Sequence, residues 1–406
     1  MSASTAAIPP VRQDATVIGL VGMAHLISHF SQLLLAPLFP WLKDAFDVSY
    51  AQLGLLMSIF FIVSCGVQAA AGFLVDKHGP RPILFGGLAL LGVAAFGFAA
   101  STSYAMLAFF SVVAGIGNGV FHPVDFTLLN RKVHQSRLGH AFSAHGITGS
   151  LGWALAPAML VPLTLAFSWR VALACAGVLV FAVLAVLLVN RRHLEMTPLA
   201  QPKAAAGGEG SFAFLAIPAV WMCFAFFLFY AMALSGVQAF APEAARLLHG
   251  VPVALAAMCL TIYMVCTALG MVLGGFLVTD PSRCERIVGV AFGIASTIAL
   301  VIGFATLPAL AVPMLFGVMG FAAGIAGPSR DLIVKRSAPD NATGRVYGVV
   351  YSGLDIGQAI APLLFGALMD MGQPAMVWLG IAVVQGVLIV SALNVGRVRR
   401  TRLAVA

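Results

Sequence analysis

The sequence predicts an all-α membrane protein of twelve transmembrane helices arranged as two parallel six-helix repeats, and three observations carry that reading. Of the 406 residues, 61% are hydrophobic and only 9% charged, with a mean hydropathy of +1.01, whereas a soluble domain is about a quarter charged. The apolar runs are long and punctuated by glycine, which suits helices rather than the alternating strands of an outer-membrane barrel. The chain also repeats on itself. At an offset of 205 (328 − 123), Pro37 matches Pro242, Pro123 matches Pro328, Gly139 matches Gly344, Gly152 matches Gly357 and Pro157 matches Pro362. A small slip, to 203, aligns Gly72-Phe73-Leu74-Val75 with Gly275-Phe276-Leu277-Val278. Prolines and glycines set kinks and close helix contacts, so matching them matches backbone shape. An even number of spans per half makes the repeats parallel, related by an axis along the membrane normal.

In chain order, the predicted spans run 16–38, 51–75, 82–100, 104–129, 139–163 and 170–190 in the first half. Those of the second run 214–240, 252–279, 286–305, 309–334, 344–369 and 375–395. This divides the chain into a tail (1–13), a six-helix half (14–190), a polar linker (191–211), a second half (212–395) and a basic tail (396–406). Basic residues such as Lys77, Arg81, Arg131, Lys132, Arg137, Arg191, Arg192, Arg397 and Arg399 fall on one side, while the other side holds only Lys43, Arg170 and Arg246. Positive charge marks the cytoplasmic side, so both termini and the linker are expected there. The net charge of +8 is therefore a topology signal and argues for no nucleic acid. The first span is expected to act as the targeting element, with no cleaved signal peptide. The six cysteines contain no CxxC pair, which argues against a disulfide framework or zinc knuckle. The loops carry no nucleophile–base pair or cofactor motif, so neither an enzyme nor a cofactor is expected.

The chemistry concentrates in Gly115–Arg137. His122 and Asp125 lie three apart within an apolar run and share a helix face. An ionisable group inside a membrane costs at least ~2.5 kcal/mol, so it faces a cavity or a partner. At the 205 offset Asp125 falls on Arg330, which predicts an acid–base pair across the interface of the halves. His25 and His29 lie four apart on one face of the first span, and a histidine switches charge near neutral pH. His145 and Asp355 are further ionisable residues within spans.

The loop after the second span reads Gly72-Phe-Leu-Val-Asp76-Lys77-His78-Gly79-Pro80-Arg81. This resembles the signature of the major facilitator superfamily, and the resemblance covers the whole chain. Within it, His25, Leu34-Leu35-Ala36-Pro37-Leu38-Phe39-Pro40, Ser49-Tyr50-Ala51-Gln52-Leu53-Gly54-Leu55 and Val120-Phe121-His122-Pro123 resemble the fosmidomycin-resistance type of efflux protein. The resemblance implies a central cavity lined by spans 1, 4, 7 and 10. On it rests a substrate and proton site of His25, His29, His122, Asp125, Tyr230, Gln238, Arg330 and Asp331, with His145 and Asp355 as secondary candidates. It also implies a gate of Gly72, Asp76, Lys77, Gly79 and Arg81. There Gly72 would allow close helix approach, and Asp76 would cap a helix or pair with Arg81.

The function expected is secondary transport by alternating access, by a monomer in a bacterial inner membrane. Proton-coupled efflux of a small amphipathic compound leads. Uptake or exchange of a small organic anion held by Arg330 and the histidines follows. Export of a divalent transition metal through His25, His29, His122 and Asp125 comes third, without a short ligand motif, and no metal site is assigned.

Overall fold

In the computed structural model of the protein, residues 11–196, 218–277, 283–337 and 343–405 are described, and they form helices joined by short turns. The helices are α1 (Val11–Gln32), α2 (Phe39–Phe46), α3 (Tyr50–His78), α4 (Pro80–Ala100), α5 (Tyr104–Asn118), α6 (Phe121–Lys132), α7 (Leu138–Ala166) and α8 (Trp169–Val189). They continue as α9 (Pro218–Ala239), α10 (Ala241–His249), α11 (Val253–Leu277), α12 (Cys284–Phe304), α13 (Ala311–Ser337), α14 (Thr343–Asp370) and α15 (Pro374–Val405). Among the described residues, eleven helical segments are long and apolar enough to cross a membrane. The twelfth predicted span, 375–395, falls in α15, whose apolar stretch Pro374–Val390 is shorter. Residues 1–10 of the predicted tail (1–13) and 197–211 of the predicted linker (191–211) lie outside the described residues.

Proline decides where the predicted spans break. The first span does not run unbroken over 16–38: α1 stops at Gln32, a 3-10 turn covers Ala36–Leu38, and α2 follows. Pro37 and Pro40 each stand at the first positions of the new segments, where a missing N–H costs nothing, while inside a helix it removes a bond and clashes. Pro242 does the same at the start of α10. The fourth span is likewise two helices, α5 ending at Asn118 and α6 beginning at Phe121, with Pro123 in the first turn of α6.

Helix α1 packs on α7, α3 on α5 and α4 on α8, while α11 packs on α13, α9 on α14 and α12 on α15. The two groups meet where α3 packs on α14 and α7 on α11. The α3–α14 seam is tightest at the start of α3. Asp370 at the end of α14 accepts the backbone N–H of Tyr50 at 2.7 Å and of Ala51 at 2.8 Å. Tyr50 Oη donates to Glu243 at 2.9 Å, and Glu243 takes both a 2.7 Å bond from Arg246 Nε and one from its Nη2. Further along, Gly54 lets the backbones touch: a Cβ there would lie 2.3 Å from the Pro362 carbonyl oxygen. This end of the molecule, the Tyr50 face, is bonded shut between the two groups of helices.

Candidate functional site

A cavity of about 200 Å³ lies between the groups. Its N-terminal wall is polar. His25, His29 and Gln32 come from α1, Gln68 from α3, Asn118 from α5 and His122 from α6. Its C-terminal wall is largely aromatic and aliphatic, with Phe227 and Tyr230 on α9, Tyr263 on α11, Arg330 on α13, and Asp355 and Gln358 on α14. The lining therefore draws on α3, α7, α11 and α14 as well as on the four spans that the resemblance implies.

The i, i+4 spacing on α1 brings the His25 and His29 rings to 4.3 Å between centroids. His25 Nδ1 lies 3.1 Å from Asp125 Oδ2, and His145 Nε2 lies 3.1 Å from the same oxygen. His25 and His145 stack at 3.5 Å. Asp125 is wholly buried in this sandwich. Two glycines of α7 make it possible: at Gly152 a Cβ would lie 2.2 Å from the Leu26 carbonyl oxygen, and at Gly149 it would meet the His29 ring at 2.7 Å. His29 stacks on Trp153 at 4.2 Å, and Trp153 Nε1 donates to Gln32 Oε1. Asn118 ties three helices together, donating to Ser64 and accepting from Ser28 and Gln32.

One chain of bonds crosses the cavity. Gln68 Oε1 accepts from His122 Nδ1 at 2.9 Å, and Gln68 Nε2 donates to Asp355 Oδ2 at 3.1 Å. A glutamine has one acceptor and one donor group, so this arrangement fixes the His122 proton on Nδ1. Opposite, the Arg330 guanidinium sits over the Tyr230 ring at 4.5 Å from its centroid and over Phe227 at 5.4 Å, a cation–π arrangement.

Several expectations are corrected. Asp125 does not pair with Arg330: α6 turns the carboxylate toward α1 and α7, where two histidines hold it, and Arg330 lies on the aromatic wall instead. Gln238 does not line this cavity. It lies eight residues beyond Tyr230 on α9, about 12 Å along a helix, buried near Glu243 and Arg246 at the Tyr50 face. His145, expected off the site, touches its centre. Gly72 has no neighbour within 4 Å of a built Cβ and makes no close approach. Asp76 does not pair with Arg81, which reaches Glu195 at 3.3 Å, and Asp76 and Lys77 are exposed. Gly79 is needed for its backbone, with φ +80° at the turn from α3 to α4. The side chain of Asp331 lies outside the described residues. Gln68, Asn118, Gln32 and Trp153 belong to the site and were not singled out from sequence; for the first three a lone amide in an apolar run was the only signal, and for Trp153 there was none.

The sequence profile of the Major Facilitator Superfamily matches residues 21–362 and 249–403. The chain belongs to this superfamily. It is 25% identical over 165 residues to the fosmidomycin resistance protein of Escherichia coli (strain K12), covering 39% of this chain and 38% of that protein. It is 27% identical over 166 residues to a probable sulfoacetate transporter of Cupriavidus necator, covering 40% and 37%. It is 31% identical over 106 residues to an oxalate:formate antiporter of Oxalobacter formigenes, covering 26% and 25%. The matches span under half the length of these relatives. Among solved structures, the fold matches a bacterial homologue of the human lysosomal transporter Spinster, inward-facing and occupied, with TM-score 0.77 and 15% identity over 97% of this chain and 98% of that one. A nucleoside transporter matches with TM-score 0.75 and 15% identity, over 94% and 99%. Membership of the superfamily, with eleven helical segments apolar enough to cross a membrane among the described residues, marks a multi-pass membrane transporter of unspecified substrate.

Proposed function

We propose that this chain is a proton-coupled secondary transporter of a small organic anion, working by alternating access between two six-helix halves of a twelve-span fold. The observation that carries the reading is the division of labour across one cavity: a buried carboxylate shared by two histidines on one wall, and a guanidinium cradled by aromatic rings on the other. A buried carboxylate is stable when protonated or when paired with a protonated imidazole. The Asp125–His25–His145 group is built to trade a proton and so change the charge of its wall. Arg330 supplies a planar fork suited to a carboxylate or sulfonate. The contacts α3–α14 and α7–α11 are those that a two-fold axis relating the repeats would generate, which supports the two-half reading. The bonded Tyr50 face leaves access from the Asp76 face. With the basic residues on that side, the orientation that fits has it, both termini and the linker in the cytoplasm of a bacterial inner membrane, with the protein acting as a monomer.

The test uses proteoliposomes with an internal pH dye and a panel of dicarboxylates, sulfonated acids and sugar acids. Anion-dependent proton flux that Arg330→Gln weakens and Asp125→Asn abolishes is expected. Flux with no member of the panel, or flux untouched by Arg330→Gln, sinks the anion reading. Proton-coupled efflux of an amphipathic compound is the second reading, favoured by the aromatic wall of Trp153, Phe227, Tyr230 and Tyr263 and by the similarity to the fosmidomycin resistance protein. Flux driven by uncharged amphipathic compounds would select it.

A further inference from the structure

We propose that His25, His29 and His122 form a binding site for a divalent transition-metal ion on the N-terminal wall of the cavity. The inference does not depend on which cargo is carried.

Three observations point to a ligand there. One ring nitrogen from each of the three histidines lies within 4.8 Å of the other two, although they come from two helices about a hundred residues apart in sequence (122 − 25 = 97). Next, two rings are already oriented as metal-binding imidazoles are. His25 presents Nδ1 to the Asp125 carboxylate and His122 presents Nδ1 to the Gln68 carbonyl. Such outer partners fix the tautomer, leave Nε2 with its lone pair and raise its basicity. Finally, the third ring lacks a settled partner: His29 Nδ1 is buried against Gly149 and makes no well-formed hydrogen bond.

Gly149 also keeps space open beside these nitrogens. A Cβ there would lie 2.7 Å from His29 Nδ1 and 3.0 Å from His25 Nε2. Imidazoles binding zinc at about 2.0–2.1 Å stand about 3.3 Å apart in a tetrahedron, so these rings close inwards by up to about 1.5 Å to reach it. Rotation about their side-chain bonds covers that distance. The second possible group, His25, Asp125 and His145, is not the site, because Asp125 Oδ2 is held by both rings and neither Asp125 nor His145 lines the cavity.

Three neutral imidazoles suit zinc, nickel, cobalt and copper and do not suit calcium or magnesium. They leave a fourth position toward the cavity, where a carboxylate oxygen or water completes the shell. The site adds two positive charges to the wall facing Arg330, so an occupied cavity favours anionic donors still more.

The experiment titrates metal-stripped, full-length protein in nanodiscs with cobalt(II). One cobalt per chain is expected, with the intense visible bands of a tetrahedral nitrogen-rich site. His29→Asn and His122→Asn should abolish those bands, and Gly149→Ala should abolish them with every ligand still present. Gln68→Ala, which removes an outer partner, should weaken binding about 10–100-fold. His140→Asn, at an exposed histidine, should leave binding intact. Equal binding by wild type and the His29 and His122 variants, or no binding by wild type, overturns the proposal. X-ray absorption on the wild-type protein loaded with zinc needs no variant: three imidazoles support the site, and a shell of oxygens or sulfurs overturns it.

Discussion

The two walls of the cavity hold their polar groups in opposite ways. On the N-terminal wall several polar side chains are bonded to others on different helices of the same group: His25 to Asp125, Asn118 to Ser28 and Ser64, Gln32 to Trp153. These bonds tie the helices of that wall to one another, and in the function proposed above its adjustable quantity is its proton count. On the C-terminal wall Arg330 rests on the faces of Tyr230 and Phe227, ring contacts that hold a charge in place at the cavity lining. The contrast teaches where each task can sit. In the function proposed above, proton exchange uses the buried, interlocked network and cargo recognition uses the oriented charge. The bond from Gln68 to Asp355 joins the polar networks of the two walls, so it is a place where the state of one wall is felt by the other.

The comparison can be broken most severely at Asp125. Asp125→Asn should reduce proton-coupled flux by roughly a hundredfold or more, the scale of a positioned proton-transfer group, while anion counterflow without net proton movement survives. Loss of both in equal measure would mean that the N-terminal wall has no separate proton task. Next comes Arg330→Gln, expected to raise KM roughly tenfold to a hundredfold through the loss of about 1.5–3 kcal/mol of charged hydrogen bonding. Arg330→Lys should rescue little, because an ammonium lacks the planar fork; full rescue would reduce the wall to a simple point charge. Rigidity on the N-terminal wall is sharpened by Gly149→Ala, which should lower stability by about 1–3 kcal/mol as the methyl group meets the His29 ring. Gly139→Ala, where the space is open, should be neutral or slightly stabilising; melting in detergent compares the two. The smallest effect is a coupling. In double-mutant cycles on stability, Asp125→Asn and His145→Asn should deviate from additivity by about 0.5–3 kcal/mol, while Asp125→Asn and Arg330→Gln should add within about 0.5 kcal/mol. The reverse pattern would restore the acid–base pair that the repeat suggests.

The membrane spans were legible because hydropathy depends on composition alone, and most lie close to where the apolar runs put them. The breaks at Gln32 and Asn118 were harder to see: hydropathy carries across them, and only Pro37, Pro40 and Pro123 mark the change. For the site, the His25–His29 pair was legible because i, i+4 geometry is local. The partner of Asp125 was not. The 205 offset gives the equivalent position in the other half, but equivalence fixes depth along a helix and says nothing about which neighbour the side chain faces. His145 stands twenty residues from Asp125 (145 − 125) on another helix, and only the packing of α7 on α1 through Gly149 and Gly152 brings it there. Gln68 was invisible for the same reason: a single amide acquires its role from a helix 287 residues away in sequence (355 − 68).

The Asp370 carboxylate that receives Tyr50 and Ala51 has a consequence for how the Tyr50 face opens. The first N–H groups of any helix are unpaired donors with the positive end of its dipole behind them. While the face is shut, the end of α14 satisfies two of those belonging to α3. Once it opens, α3 presents a vacant anion-binding tip to the medium beyond, and α14 is left with an uncompensated carboxylate. In the alternating-access cycle proposed above, each turnover breaks these two bonds and remakes them, while the Ser49–Gln52 capping box stays with α3. The ions dissolved on that side of the membrane are competitors for the same two donors, so the rate of resetting should follow the anion content of the solution there even when that anion is never carried.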